Sequence, residues 1–197
     1  SASVAIGRKA LTTQNFTSAT TTYNVAVGYA AGELVTTGIN NTLIGGLAGD
    51  ALTDADYNVA LGYLALSTNI LGSSSVAVGS FALGTHNVAS AAETYNTAVG
   101  HNSGWAVTTG IKNTFLGGLA GDATTDADEN VAVGYNALST NILGSTSTAI
   151  GTSSLFSQNP ASAVSMYNTA VGYDSGAAIT TGVQNTLIGG LVSQEMP

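Results

Sequence analysis

A parallel β-roll, or β-solenoid, is the fold class this sequence predicts, and three observations predict it. A pentapeptide ending in Gly recurs eleven times at a near-fixed spacing. Within each copy, Val or Thr and then an aliphatic residue flank one central position, which is Ala in most copies. An Asn or Ser stands four residues before every closing Gly. A fixed short period is the signature of a repeat architecture and takes precedence over any local reading.

The copies begin with Ser3-Val4-Ala5-Ile6-Gly7. They continue from Asn24 to Gly28, Asn41 to Gly45, Asn58 to Gly62, Ser75 to Gly79, Asn96 to Gly100 and Asn113 to Gly117. The last four run from Asn130 to Gly134, Ser147 to Gly151, Asn168 to Gly172 and Asn185 to Gly189. Successive closing glycines are 17 residues apart, except for three steps of 21. Four units make a block of 72 residues, so that Leu66 to Ser73 repeats as Leu138 to Ser145 without a change. The chain is one domain over 1–197, divided into blocks at about 1–20, 21–92, 93–164 and 165–197.

Alternating β-branched residues mark a strand of about five residues in each copy, with the residues three and one before the Gly on one face. The Ala between them suits a narrow coil interior. Leu43, Phe115 and Leu187 replace that Ala at one and the same coil of each block. The Asn and Ser positions predict a polar ladder along the stack that satisfies turn backbone groups. A second strand is expected at Leu34-Val35-Thr36-Thr37 before Gly38, repeated at 107–110 and 179–182. The extra residues fall within 11–22, 83–94 and 155–166, where the blocks differ most. Four coils at the ordinary strand spacing of about 4.8 Å put these inserts on one side of the rod, roughly 19 Å apart. The whole stack is a rod of roughly 50 Å.

Composition narrows the function classes. Charged residues are 7% of the chain, against an average near 25%. Lys and Arg number 3 and the net charge is −8, which disfavours nucleic-acid binding. No apolar run reaches the ~20 residues of a membrane span, so no membrane insertion is expected. There is no Cys for a disulfide or thiolate site.

The pattern Asn/Ser-Val/Thr-Ala-aliphatic-Gly-x-x-Ala/Ser resembles the head repeat of YadA-type trimeric autotransporter adhesins. Ser3 to Ala10 and Ser75 to Ala82 carry the resemblance most closely. Asn-Thr-Ala-Val-Gly followed by Thr-Thr-Gly is also similar to repeat shafts of phage tail-fibre proteins. The resemblance implies a left-handed roll in which three chains wind side by side. The trimer has its own physical argument. Both faces of the principal strand are apolar, one face can fill the roll, and the other would be an apolar stripe along the rod. Closed symmetry would bury it, with the aliphatic face as the seam.

Candidate sites are few. Asp50, Asp54 and Asp56 recur as Asp122, Asp126 and Asp128, and three carboxylates beside turns can hold Ca²⁺ through oxygen. The alternative is a solvated turn in which Asp caps backbone groups. In the third block Ser193-Gln194-Glu195 stand at the corresponding place. Trp105 is a possible contact residue or simple packing. The recurrent tyrosines are read as an aromatic surface for carbohydrate, or as cover for open edges or the trimer seam. His86 and His101 lack a block-period partner and are expected at the surface or in turns. No nucleophile–base pattern and no phosphate loop stands out, so the chain is read as non-enzymatic and without a cofactor.

The functional expectation is a structural rod of an extracellular fibre. A phage tail fibre or other virion appendage with a host-attachment role comes first, and a bacterial surface adhesin head second. The partners expected are two further copies and a cell-surface carbohydrate or protein receptor. A carbohydrate-processing fibre enzyme and an ice- or mineral-binding solenoid are the alternatives from other classes.

Overall fold

The computed structural model describes residues 2–16 and 18–192. Eleven three-residue strands form one continuous parallel sheet. Its strands are Val4–Ile6 (β1), Val25–Val27 (β2), Thr42–Ile44 (β3), Val59–Leu61 (β4), Val76–Val78 (β6) and Thr97–Val99 (β8). Thr114–Leu116 (β9), Val131–Val133 (β10), Thr148–Ile150 (β12), Thr169–Val171 (β14) and Thr186–Ile188 (β15) complete it. Every pairing is in register, centre on centre and flanking Val, Thr, Ile or Leu on its counterpart. The 21-residue steps keep this register too, as at Val76 on Thr97. The four extra residues therefore bulge outward, and Ala89 to Glu93 and Ala161 to Val164 are exposed. The chain is a β-solenoid of 17-residue coils.

The closing Gly is fixed by the approach of neighbouring coils. Gly100 sits at φ 140°, a conformation open only to Gly, and a Cβ there would lie 2.5 Å from the carbonyl oxygen of Gly117. The same approach recurs at Gly62 against Gly79. Beyond this Gly, the residues two and four positions on take the left-handed conformation wherever they are described, as does the residue before each Asn that opens a repeat. These three corners fold a 17-residue loop flat enough to stack.

The interior is filled layer by layer. Ala26, Ala60, Ala77, Ala98, Ala132, Ala149 and Ala170 point inward from strand centres and are fully buried. In most such coils a Leu four residues after the Gly fills the remaining space, as Leu66, Leu83, Leu138 and Leu155 do. Where the strand centre is large, that Leu gives way to Gly. Leu43 lies between Gly32 and Gly49, and Phe115 between Gly104 and Gly121. A Cβ on Gly32 would be 2.7 Å from Leu43, and one on Gly104 2.8 Å from Phe115. Leu43 and Phe115 are thus matched by loss of volume on either side, as close packing requires.

The expected second strand does not form. Residues 34–38 carry no strand: Leu34 ends a turn and Thr36 and Thr37 form a bend. Val35 and Val107 are buried singly inside a corner, so their β-branched shape reports burial rather than a strand. The short strands outside the main sheet lie elsewhere: Gly72–Ser73 (β5) pairs with Ala92–Glu93 (β7), and Gly144–Ser145 (β11) with Val164–Ser165 (β13). The principal strands are also shorter than expected, at three residues, because Asn turns inward before them and Gly leaves β geometry after them.

Candidate functional site

The Asn positions are a structural clip. Asn24, Asn41, Asn58, Asn96, Asn113, Asn130 and Asn168 are buried. In each, one side-chain atom works along the stack and the other across the coil. Asn41 Oδ1 accepts the backbone N–H of Asn58 at 2.9 Å, and its Nδ2 donates to the Ala55 carbonyl at 2.8 Å. Asn113 does the same with Asn130 and Ala127. The expected polar ladder is therefore built mainly from side chain to backbone. An amide–amide bond, Asn185 Nδ2 to Asn168 Oδ1 at 3.0 Å, occurs near the last coil.

The Asp residues act as coil-to-coil acceptors. Asp126 Oδ1 accepts from the hydroxyls of Thr108 at 2.6 Å and Thr109 at 2.8 Å, which hold its carboxyl below the usual range. Asp54 accepts from Thr37 in the preceding coil. Asp56 and Asp128 accept the N–H of Ile39 and Ile111 at 2.7 and 2.8 Å. Burial pushes Asp56 up in spite of that bond. Asp122 accepts from Ser139 at 2.6 Å, whereas one oxygen of Asp50 is buried without a partner and burial raises its pKa. Among the described residues no three His, Asp or Glu side chains converge on one point. The geometry fits turn capping, and these carboxylates remain the oxygen donors that a Ca²⁺ ion would use.

His86 is not a surface residue. It is fully buried, at an inward position seven residues after the Gly, and neither ring nitrogen has a hydrogen-bond partner. Desolvation lowers its pKa to about 4, and the nearby Thr108 carbonyl offsets this only in part. A lone His carries no sign of burial, whereas the column in which it stands does. The column holds Val35, Leu52, Asn69, Val107, Asn141 and Gln158, all buried. Gln158, one block after His86, is fully engaged: its Oε1 accepts from Asn168 at 2.8 Å, and its Nε2 reaches Ser147 at 3.0 Å and Asn141 at 3.3 Å. His101 is exposed, as expected, and lies edge-on to Phe81 at 6.3 Å.

Outside, the strand residues three and one before each Gly are half-buried or exposed along the whole sheet. All eight tyrosines flank this aliphatic stripe in two columns. Tyr23, Tyr57, Tyr95 and Tyr167 precede the Asn, and Tyr29, Tyr63, Tyr135 and Tyr173 follow the Gly. All eight are exposed.

Trp105 is 46% exposed yet packed on one side, its indole lying over Gly84 in the coil before. One block later the same two places hold Phe156 and Ala177. There a groove of about 440 Å³ opens, lined by Asn136, Ser153, Phe156, Ser157, Asp174 and Ala177 among others. The sequence singled out Trp105 but not this groove. The signal was available: Gly84 and Trp105 occupy one column in adjacent coils, as do Phe156 and Ala177.

Among the described residues no helix is long and apolar enough to cross a membrane. The fold and surface define a parallel β-solenoid repeat protein. No protein family, curated protein or solved structure matches the chain.

Proposed function

We propose that this chain is a rigid, non-enzymatic rod of an extracellular fibre, in which three copies pack side by side along the aliphatic stripe. The observation that carries the reading is the stripe with its two tyrosine margins. All-parallel sheets nearly always have both faces covered. Here the inner face is covered by the coil and the outer face is open, with Leu61 at 42%, Leu116 at 37% and Ile150 at 38% exposure. The total surface, 8429 Å², is close to the roughly 8,500 Å² of an ordinary monomer of this mass. The argument thus rests on where the apolar surface lies, not on how much there is. Tyrosine at the margin of an apolar strip is also the composition of an interface. Left-handed coiling and the three-fold arrangement follow from the repeat resemblance.

A virion appendage such as a phage tail fibre, with a host-attachment role, is the setting this reading favours. A charge-poor, cysteine-free repeat of stacked coils suits a shaft that is extended by duplication. The adhesin-head reading is kept because Ser3 to Ala10 and Ser75 to Ala82 follow that pattern throughout. Sedimentation and multi-angle light scattering test the assembly. A trimer is expected, and Leu116→Lys with Ile150→Lys should dissociate it while the β spectrum persists. A folded, monodisperse monomer of the unaltered chain would overturn the fibre reading.

A further inference from the structure

We propose that the groove between Phe156 and Asp174 is a binding site for a neutral saccharide. It deepens the attachment part of the fibre reading and rests on that reading for its biological use, although the groove itself belongs to a single chain.

The blocks are near copies, so a cluster of coordinated differences is informative. In the lining of the groove, Asn136 stands where the earlier block has Leu64, and Ser153 where it has Phe81. One coil on, Ala177 stands in place of Trp105, and Asp174 in place of Asn102. In the earlier block two of these places hold packed aromatic rings: Phe81 lies edge-on to Tyr63 at 5.5 Å, and Trp105 covers Gly84. In the later block three bulky apolar groups have gone: Asn136 and Ser153 put polar groups in place of two, and Ala177 leaves space in place of the third. One aromatic ring is kept, moved from Trp105 in one coil to Phe156 in the coil before it in register. The result is an open volume with one aromatic face and four polar side chains around it.

The chemistry of the lining selects the ligand. Asp174 supplies carboxylate acceptors, Asn136 both donors and acceptors, and Ser153 and Ser157 hydroxyls that can do either. Asp126 is spent on Thr108 and Thr109, whereas no described residue hydrogen-bonds the Asp174 carboxylate. A polyol with an apolar ring face matches this set, its hydroxyls on the polar groups and its C–H face on Phe156. An apolar ligand would leave four polar groups unpaired. An anionic sugar would meet Asp174 with no cation in the lining and a net charge of −8 on the chain. The volume lies in the lower part of the roughly 300–1,000 Å³ range of ligand clefts, which suits a short oligosaccharide segment.

The test uses the full chain in its native assembly. A panel of neutral oligosaccharides is titrated by saturation-transfer NMR and calorimetry, with sialylated oligosaccharides and a lysine-rich peptide alongside. At least one neutral saccharide should bind at millimolar or tighter affinity. The double variant Phe156→Gly, Ala177→Trp should lose that binding at least tenfold. It rebuilds the Gly84–Trp105 arrangement that this scaffold already accepts, so the unchanged circular dichroism and melting temperature separate loss of site from loss of fold. The proposal is overturned if no neutral saccharide binds, if the double variant binds as well as the parent, or if only the lysine-rich peptide binds. A monomer in solution would instead overturn the fibre reading and leave saccharide binding to one chain intact.

Discussion

Replacing His86 by Gln should stabilise the protein and remove an acid-sensitive element. His86 places two ring nitrogens in the coil interior with no partner. Gln158 occupies the corresponding position one block on and satisfies three neighbours, Asn141, Ser147 and Asn168. Asn69, Ser75 and Asn96 stand at the equivalent places around His86. His86→Gln should therefore convert orphaned buried groups into hydrogen bonds, a gain of about 2 kcal/mol at neutral pH. For a chain of this size that is a rise in melting temperature of roughly 4–8 °C.

The pH dependence is sharper than the stability change. The folded-state pKa of His86 is depressed from 6.5 to about 4, so the unfolded chain takes up the proton first as pH falls. Stability is then highest above the unfolded pKa, falls as pH drops from 6.5 towards 4, and levels off below. By about pH 5 the loss from this group is about 2 kcal/mol, and it approaches about 3 kcal/mol at lower pH. Asp50 and Asp56, whose pKa values are raised, change stability in the opposite sense, and they are common to both proteins. Urea unfolding of parent and variant at about pH 7.5 and about pH 5, at one fixed protein concentration, isolates the His86 contribution as a difference. The reasoning is refuted if the two proteins lose the same stability over that interval.

Two further predictions concern the clip and the Asp turns. Asn58→Ala removes the acceptor for the Ser75 N–H and one donor to Gly72, but Asn69 still donates to that carbonyl at 2.6 Å. The cost falls on the orphaned N–H and should be about 2–3 kcal/mol by denaturant unfolding, with a value below about 0.5 kcal/mol counting against the clip. Asp126→Asn should cost only a few tenths of a kcal/mol, because the carboxylate is largely exposed and its partners are neutral hydroxyls. Its stabilising effect is present above the unfolded pKa of 3.8 and is lost as pH falls through the lowered folded value. If the hydroxyls alone hold this turn, a chelator leaves the melting temperature unchanged. A rise with Ca²⁺ that Asp126→Asn abolishes would show an oxygen-ligand site instead.

The fold was legible because its constraints act at single positions. A closing Gly at φ near 140° with the next coil's carbonyl against it, and an Asn that must satisfy two backbone groups, tolerate little substitution. They print directly into the spacing. The second strand was misread because Val35 and Thr36 look β-prone, whereas what they report is one inward side chain and one coil-to-coil bond, Thr36 N–H to the Thr53 carbonyl. The groove was hidden for a different reason. It depends on pairs such as Gly84 with Trp105, which are 21 residues apart and exchange bulk across a coil boundary, so neither residue alone carries the signal. His86 becomes intelligible only in a column with Gln158 and Asn141, since the interior accepts polar groups where they find one another.

The bonds between coils run along the rod, as in Thr42 N–H to the Asn58 carbonyl and Gly45 N–H to the Val27 carbonyl. A tensile load applied evenly along the axis therefore pulls on every bond of a coil boundary at once. A load applied to a chain end instead peels one coil at a time, each bond in turn. The same molecule is stiff against the first force and weak against the second. How its ends are fastened, rather than how strong any coil is, would set the force at which it fails.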